Sequence, residues 1–472
     1  MLKQYIRICV SKFRYISNPI ELVKKISHLW TNFSLRSVNH SILTATAVVG
    51  IMTALGKLIS VIKELVVAWR FGLSDDLDAF FIALIVPSFL VTVIGNSFNT
   101  ALIPTYIQVR EQQGMKAAQK LFSGAMVFSL ILLLLVTIVM GVTAPFFLPL
   151  IASGFNRAKL GLTVDLLVNI SPWLILTGSI TIIRGVLNAG ERFALAAFSP
   201  AITPTITILL LLVNPSWGVN ALTFGLICGA FLELILLGMA LKGQGIYLLP
   251  KWSGFNEDLR QVIGQYMPMI AGACLMSSTN IVDQSMAATL SSGSVTALNY
   301  GNKLIALPIT LIVTALGTSV TPYFAKMVAN EDWKQIQDTF KRYLKWIFLF
   351  TIPLTGFIII ISEPLVRIMF QRGSFTAEDT QIVSKIQACY ALQIPFSIGG
   401  ILVVRLISSL KANHILMKAA IWNLLLNIIL NFIFMKWIGV SGIALSTSFV
   451  MLYSYTYVTR HSSKLIKQTQ AN

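Results

Sequence analysis

Charge is scarce in this chain, and acid is the scarcer sign. Asp, Glu, Lys and Arg make up 11% of 472 residues, with 18 carboxylates against 36 Lys and Arg, for a formal net charge of +18 at pH 7. So thin a charged shell does not cover a soluble globule of this length. Cysteine is equally sparse: Cys9, Cys228, Cys274 and Cys389 lie far apart, three of them in apolar segments where the thiol acts as a small hydrophobe. The expectation is therefore no disulfide framework and no metal site. The histidines His28, His40, His414 and His461 are scattered too, none with His or Cys at ligand spacing. There is no GxSxG, HExxH, Walker A loop or CxxC pair, so no catalytic residue and no cofactor is expected. The basic N-terminus lacks a short apolar core followed by a small-residue cleavage site, which argues against a removable signal peptide.

Long apolar runs fill the space that charge leaves. Apolar residues reach 56% and the mean hydropathy is +0.77, which predicts an all-α polytopic membrane protein. A window of about 19 residues finds about twelve transmembrane helices. The first 40 residues are the longest stretch without a span, and a compact domain needs at least about 50 residues of its own. Most Lys and Arg fall in loops on one side when the N-terminus is placed inside, the positive-inside pattern. An even span count returns Arg460, Lys464 and Lys467 to the side of Lys3, Arg7 and Lys12. Both termini are thus expected in the cytoplasm. A nucleic-acid role would need a basic face on a soluble module, and the sequence offers none.

The polar, Gly- and Pro-bearing segment 242–261 reads as a linker between halves. The expected organisation is a basic cytoplasmic segment 1–40, an N-lobe 41–241 with six spans, the linker, a C-lobe 262–459 with six more, and a cytoplasmic tail 460–472. Pro104 and Pro322, Pro145 and Pro364, Gly154-Phe155 and Ser374-Phe375, and Arg184 and Arg405 recur at an offset of about 220 residues, a sign of internal duplication. Six spans per half make the repeats parallel. Two parallel six-helix lobes should then enclose a central cavity near the midplane.

Charges inside the spans are the candidates for function. Lys57 and Lys63 sit in the first apolar run, Asp78 opens the second, and Arg184, Lys303 and Arg405 follow, with Glu233 and Asp283 as the main carboxylates within spans. A charge facing lipid costs several kcal/mol, so such residues ordinarily face a wet cavity or a ligand. A pyrophosphate would compensate them through charge-assisted hydrogen bonds. Snorkelling to a helix end is the competing account for Lys57, Lys63 with Glu64, and Arg70, and a cytoplasmic-boundary role competes for Arg184 and Arg405. The acidic pair Asp75-Asp76 reads as a solvated turn.

Five stretches carry a family resemblance: AWRFGLSDDLDAFFIALIVPSF (68–89), ALIPTYIQVREQQG (101–114), SSGSVTALNYGNKLIALP (291–308), ALGTSVTPYFAK (315–326) and FQRGSFTAEDT (370–380). Together they resemble the MurJ (MviN) lipid II flippases, a branch of the multidrug and oligosaccharidyl-lipid exporters. The resemblance implies a flippase in the bacterial inner membrane that carries a polyprenyl-pyrophosphate-linked saccharide, lipid II or a related cell-wall or exopolysaccharide precursor, by alternating access. Its implied partners are that lipid, membrane lipids and other cell-envelope biosynthesis proteins. Lys57 and Lys63 fall where the family places two cavity arginines, Asp78 matches its Asp before Ala-Phe-Phe, and Lys303 stands where an arginine is usual. Charge is kept at these sites, but the bidentate fork is lost.

Other positions depart further. Val91, Thr92 and Asn96 replace paired arginines and a glutamate, and Asp283-Gln284 stands where many relatives have Asp-Arg. Asn423 and Asn427, four apart on one helix face, lie where some relatives bind sodium through an Asn and an Asp. The family also typically carries two further spans that form a groove for the lipid tail. Two rival functions remain: a multidrug cation exporter, which should prefer acidic and aromatic cavity walls, and a membrane glycosyltransferase or polymerase built around Asp75 and Asp76.

Overall fold

A computed structural model describes residues 38–247, 254–410 and 412–471. The expected N-terminal segment 1–40 lies outside these residues save for its last three, and so does the middle of the expected linker. The N-terminal half begins with α1 (Val38–Phe71). A broken span follows: α2 (Asp75–Leu90), a π-helical turn Val91–Asn96, and α3 (Ser97–Gln113). Then come α4 (Met115–Ile151), α5 (Arg157–Ala189), the short α6 (Phe193–Phe198) running into α7 (Ile202–Val213), and α8 (Asn220–Lys242). The C-terminal half repeats the plan with α9 (Glu257–Ala288), α10 (Ser294–Ala329), α11 (Trp333–Ile360), a short α12 (Ser362–Phe370), a span made of α13 (Ala377–Ala391) and α14 (Ile394–Ser409), α15 (His414–Ile438) and α16 (Val440–Ala471). Among the described residues each half thus supplies six membrane-length segments.

Eight of these segments are long and apolar enough to cross a bilayer on composition alone. The other four are α1, α9, α10 and α16. They are no shorter, at 34, 32, 36 and 32 residues. Three of them, α1, α9 and α10, bear the groups with which the halves meet. A helix facing only lipid has no use for lysine or aspartate, whereas one that faces another lobe or water does.

Local signals explain where the helices start, and they repeat. Asn156 caps α5 by accepting from the Lys159 N–H at 2.8 Å, and Thr376 caps α13 in a capping box with Asp379. Asn156 and Thr376 are separated by the same offset as the sequence landmarks. Within the N-lobe α5 is the central post, packed on α2, α4 and α8. Within the C-lobe α10 packs on α13 and α14, while α15 pairs with α16 and α9. In α2–α3, Pro87 removes a backbone donor, and the wider π-helical turn follows at once. Gly95 in that turn faces Gly178 of α5, at a distance that leaves room for ordinary contact.

Candidate functional site

The lobes meet at one end through reciprocal loops. The end carrying residues 72–74 is called the upper end here. Ser374 of the C-lobe donates its N–H to the Trp69 carbonyl at 2.8 Å and its hydroxyl to the Arg70 carbonyl at 2.9 Å. Gly72, at φ +54°, lies so close that any Cβ would overlap the Ser374 carbonyl. At the same end Gly154 of the N-lobe abuts the Ala288 carbonyl and Thr289 in the same way. The loop before α2 therefore meets the loop before α13, and the loop before α5 meets the loop before α10. That is the pairing a pseudo-two-fold axis between parallel repeats demands.

Asp78 fastens this end. Its carboxylate is 1% exposed and accepts the Gly293 N–H at 2.8 Å, the Thr296 N–H at 2.8 Å, the Thr296 hydroxyl at 2.8 Å and the Lys159 ammonium at 2.9 Å. An N-lobe aspartate thus caps the N-terminus of C-lobe α10, where free N–H groups and the helix dipole favour an anion. Lys159 also pairs with Asp75 and stands 4.0 Å over the Phe155 ring. Asp76 is exposed, as a solvated turn requires, but Asp75 belongs to the fastening. Arg70 sits at the same end and donates to the carbonyls of Leu211 and Pro215, capping α7.

Below the fastening lies a charge bridge between lobes. Glu64 of α1 contacts Lys63 at 2.5 Å through one oxygen and Lys303 of α10 at 2.5 Å through the other. Its side chain is 14% exposed, while Lys63 and Lys303 are 23% and 34% exposed. Lys303 also stands 4.9 Å from the Phe81 ring of α2. Lys57 is exposed and makes no ion pair with a described residue. Seven residues is nearly two full helical turns, so Lys57 lies under Glu64 on the same face of α1, about 10 Å further from the upper end. Lys57 and Glu64 therefore share one face of α1, while Lys63 and Lys303 reach the Glu64 carboxylate from beside it and from α10. Sequence reasoning named Glu64 only in the competing account of snorkelling and missed its pairing with Lys303; the signal was a lone carboxylate at heptad spacing from Lys57.

The two seams differ. Along one, α9 packs on α2, α3 and α4, with Phe98 edge-on to Tyr266 at 5.3 Å and Gly124 against Leu259 toward the lower end. Along the other, among the described residues, α1 and α10 are joined by the Glu64–Lys303 pair.

The remaining candidates fall elsewhere. Arg184 pairs with Glu233 at 2.6 Å, joining α5 to α8 inside the N-lobe. Arg405 is half-buried, and its Nε has no hydrogen-bond partner among the described residues. Gln284 accepts from Asn299 at 3.0 Å and so ties α9 to α10. Asp283, next to it, turns into the C-lobe, where it accepts from Asn427 at 2.9 Å, Asn431 at 2.7 Å and Thr447 at 3.2 Å. The Asn pair four apart that shares this cluster is therefore Asn427 and Asn431. Asn423 lies one turn away and donates to Ser454 at 2.9 Å. Among the described residues no three His, Cys, Asp or Glu side chains gather as a metal site.

Comparison with known proteins agrees with the geometry. The chain is 25% identical over 440 residues to the probable lipid II flippase MurJ of Synechocystis sp., an alignment covering 89% of this chain and 81% of that protein. The fold matches a structure described as lipid II flippase MurJ in an inward closed conformation, at TM-score 0.75 and 24% identity, over 87% of this chain and 86% of that one. It also matches an inward-facing multidrug resistance MATE family transporter of the MOP superfamily, at TM-score 0.72 and 14% identity, over 90% and 99%. At such identities the solved structures speak for the fold, which exporters of several cargoes share. The family model described as "Lipid II flippase MurJ" matches residues 67–472, and this chain, a multi-pass membrane transporter rather than an enzyme, belongs to that family.

Proposed function

We propose that this protein moves a polyprenyl-pyrophosphate-linked saccharide of the lipid II class across the bacterial inner membrane, with both termini and the lower end in the cytoplasm. The observation that carries the reading is the Lys63–Glu64–Lys303 bridge between lobes. Two lysines and one carboxylate leave a positive balance, and Lys57 adds to it from the same helix face. An unpaired cation at midplane depth costs about 2.5–3.5 kcal/mol on insertion scales. A diphosphate offers more negative charge than Glu64 and can take both lysines from it. The upper end is fastened, so the headgroup enters from below, between α1 and α10, while its tail stays in lipid. Once the diphosphate holds Lys63 and Lys303, the bridge no longer ties α1 to α10. The lobes are then free to rock, and the Asp78 cap on α10 is the contact that must open to release cargo outward.

Asp283, Asn427, Asn431 and Thr447 supply oxygen atoms of the kind a hard cation takes, and the Asn431 side-chain carbonyl is buried without a partner among the described residues. These four residues, rather than Asn423, would hold such an ion; bound there, it would balance the buried Asp283 charge. Other cell-envelope biosynthesis proteins are the expected source of the lipid.

The test is leaflet accessibility of lipid II in proteoliposomes, with complementation of a flippase-depleted strain. Lys57→Ala, Lys63→Ala and Lys303→Ala should each abolish both while leaving membrane expression intact. Normal growth and transport in all three would remove the bridge from the site. Drug-cation efflux without lipid movement would favour the exporter reading that the MATE-like fold also allows.

A further inference from the structure

No aspartate or glutamate follows Asp379, yet this carboxylate-free stretch forms a pocket at the lower end. The pocket, about 230 Å³, opens between the start of α15 and the end of α16. His414 and Lys418 come from α15, and Tyr457, His461, Lys464 and Gln468 from α16. Their spacings of four, and of four, three and four, put each set on a single helix face. Two cationic faces therefore confront each other, and neither Lys418 nor Lys464 makes an ion pair with a described residue. The His461 ring stacks near Tyr457, 4.1 Å between centroids, with Nδ1 2.9 Å from the Tyr457 carbonyl, so its Nε2 edge is left for a ligand.

We infer that this pocket binds the phosphate of an anionic phospholipid of the inner leaflet. The inner-leaflet assignment rests on the orientation given under Proposed function; the binding chemistry does not. Facing lysines without a carboxylate repel unless an anion sits between them, and basic pockets between helices at the cytoplasmic boundary suit lipid headgroups. The neighbouring surface says that the anion carries acyl chains. From Met417 toward the membrane middle, α15 exposes Ile421, Trp422, Leu425 and Ile429, an unbroken apolar strip that begins one turn from Lys418. A free phosphate would have no use for that strip, whereas acyl chains lie along it, and Trp422 stands at the depth where indoles favour the interface.

The full chain, purified in a neutral detergent, is titrated with phosphatidylglycerol, phosphatidylcholine and inorganic phosphate, reading bound lipid by native mass spectrometry and melting midpoint in parallel. Phosphatidylglycerol should bind saturably and raise the midpoint, and the other two should not at matched concentration. Lys418→Gln with Lys464→Gln should weaken phosphatidylglycerol about tenfold, and His414→Gln with His461→Gln severalfold. Lys436→Gln, at the opposite end of α15, should bind as the parent does. Parental affinity in both double variants, or equal binding of phosphatidylcholine, overturns the proposal; equal binding of inorganic phosphate overturns its lipid part. Orientation is read separately: a cysteine at Lys464 labelled by an impermeant thiol reagent in intact cells would contradict the inner leaflet while leaving the binding result standing.

Discussion

Glu64 decides the balance of charge between α1 and α10. With it, two close lysines share one carboxylate; without it, they face each other uncompensated. Glu64→Gln should therefore cut lipid transport at least tenfold, and Lys303→Glu should fail too, since it sets two carboxylates against one lysine. Measuring leaflet exchange in proteoliposomes at matched protein density checks both, and near-parental rates for Glu64→Gln would exclude the bridge from the cycle. Asp78 acts at the same scale but on another task. Asp78→Asn keeps one acceptor and loses the charge that the α10 N-terminus and Lys159 demand, so the upper end should open more often. Labelling of a cysteine at Ser292 by an impermeant thiol reagent, in a background lacking the native cysteines, should rise several-fold. The cations of this site were legible in the sequence because charge in an apolar run is rare. Their partner was not, because Glu64 next to Lys63 looks like a local pair until α10 brings Lys303 across.

Helices here carry two kinds of polar group, and the distinction shows only at the level of elements. Arg184 and Arg405, alike in sequence position, were candidates for the cavity or its boundary; in the fold Arg184 spends its charge on Glu233 between α5 and α8. Glu233 is 4% exposed at its side chain, so Arg184→Met strands a buried carboxylate at a cost of about 3–5 kcal/mol. The melting midpoint in detergent should fall clearly, and Arg184→Met with Glu233→Gln should recover most of it. No recovery in the double variant would mean that the pair is not what couples these helices. Ser74, Asn156 and Thr376 start their helices with hydrogen bonds to N–H groups three residues on, so these starts depend only on neighbouring residues. The π-helical turn after Pro87 was not, because a proline signals only that a bond is missing; whether the chain kinks, breaks or widens depends on the neighbours that fill the gap.

At the scale of the molecule, closure of the upper end is a property of loops far apart in sequence. Cysteines at Leu73 and Ser292, joined by a short cleavable bifunctional thiol reagent, should halt transport, and reduction should restore it. Transport unchanged by a complete cross-link would show that this end need not part. The membrane class, about twelve spans and the duplication were written in composition, hydropathy and spacing, because the bilayer rewards each apolar run independently of the rest of the chain; the family was carried by the resemblance of five short stretches. What only the tertiary structure decided is how polar groups pair: Asp78 with the start of α10, Glu64 with Lys303, and Asp283 with Asn427 and Asn431. Hydrogen bonds and ion pairs act over a few ångströms, so their partners are set by which helices lie side by side, and that is fixed by packing across the whole fold.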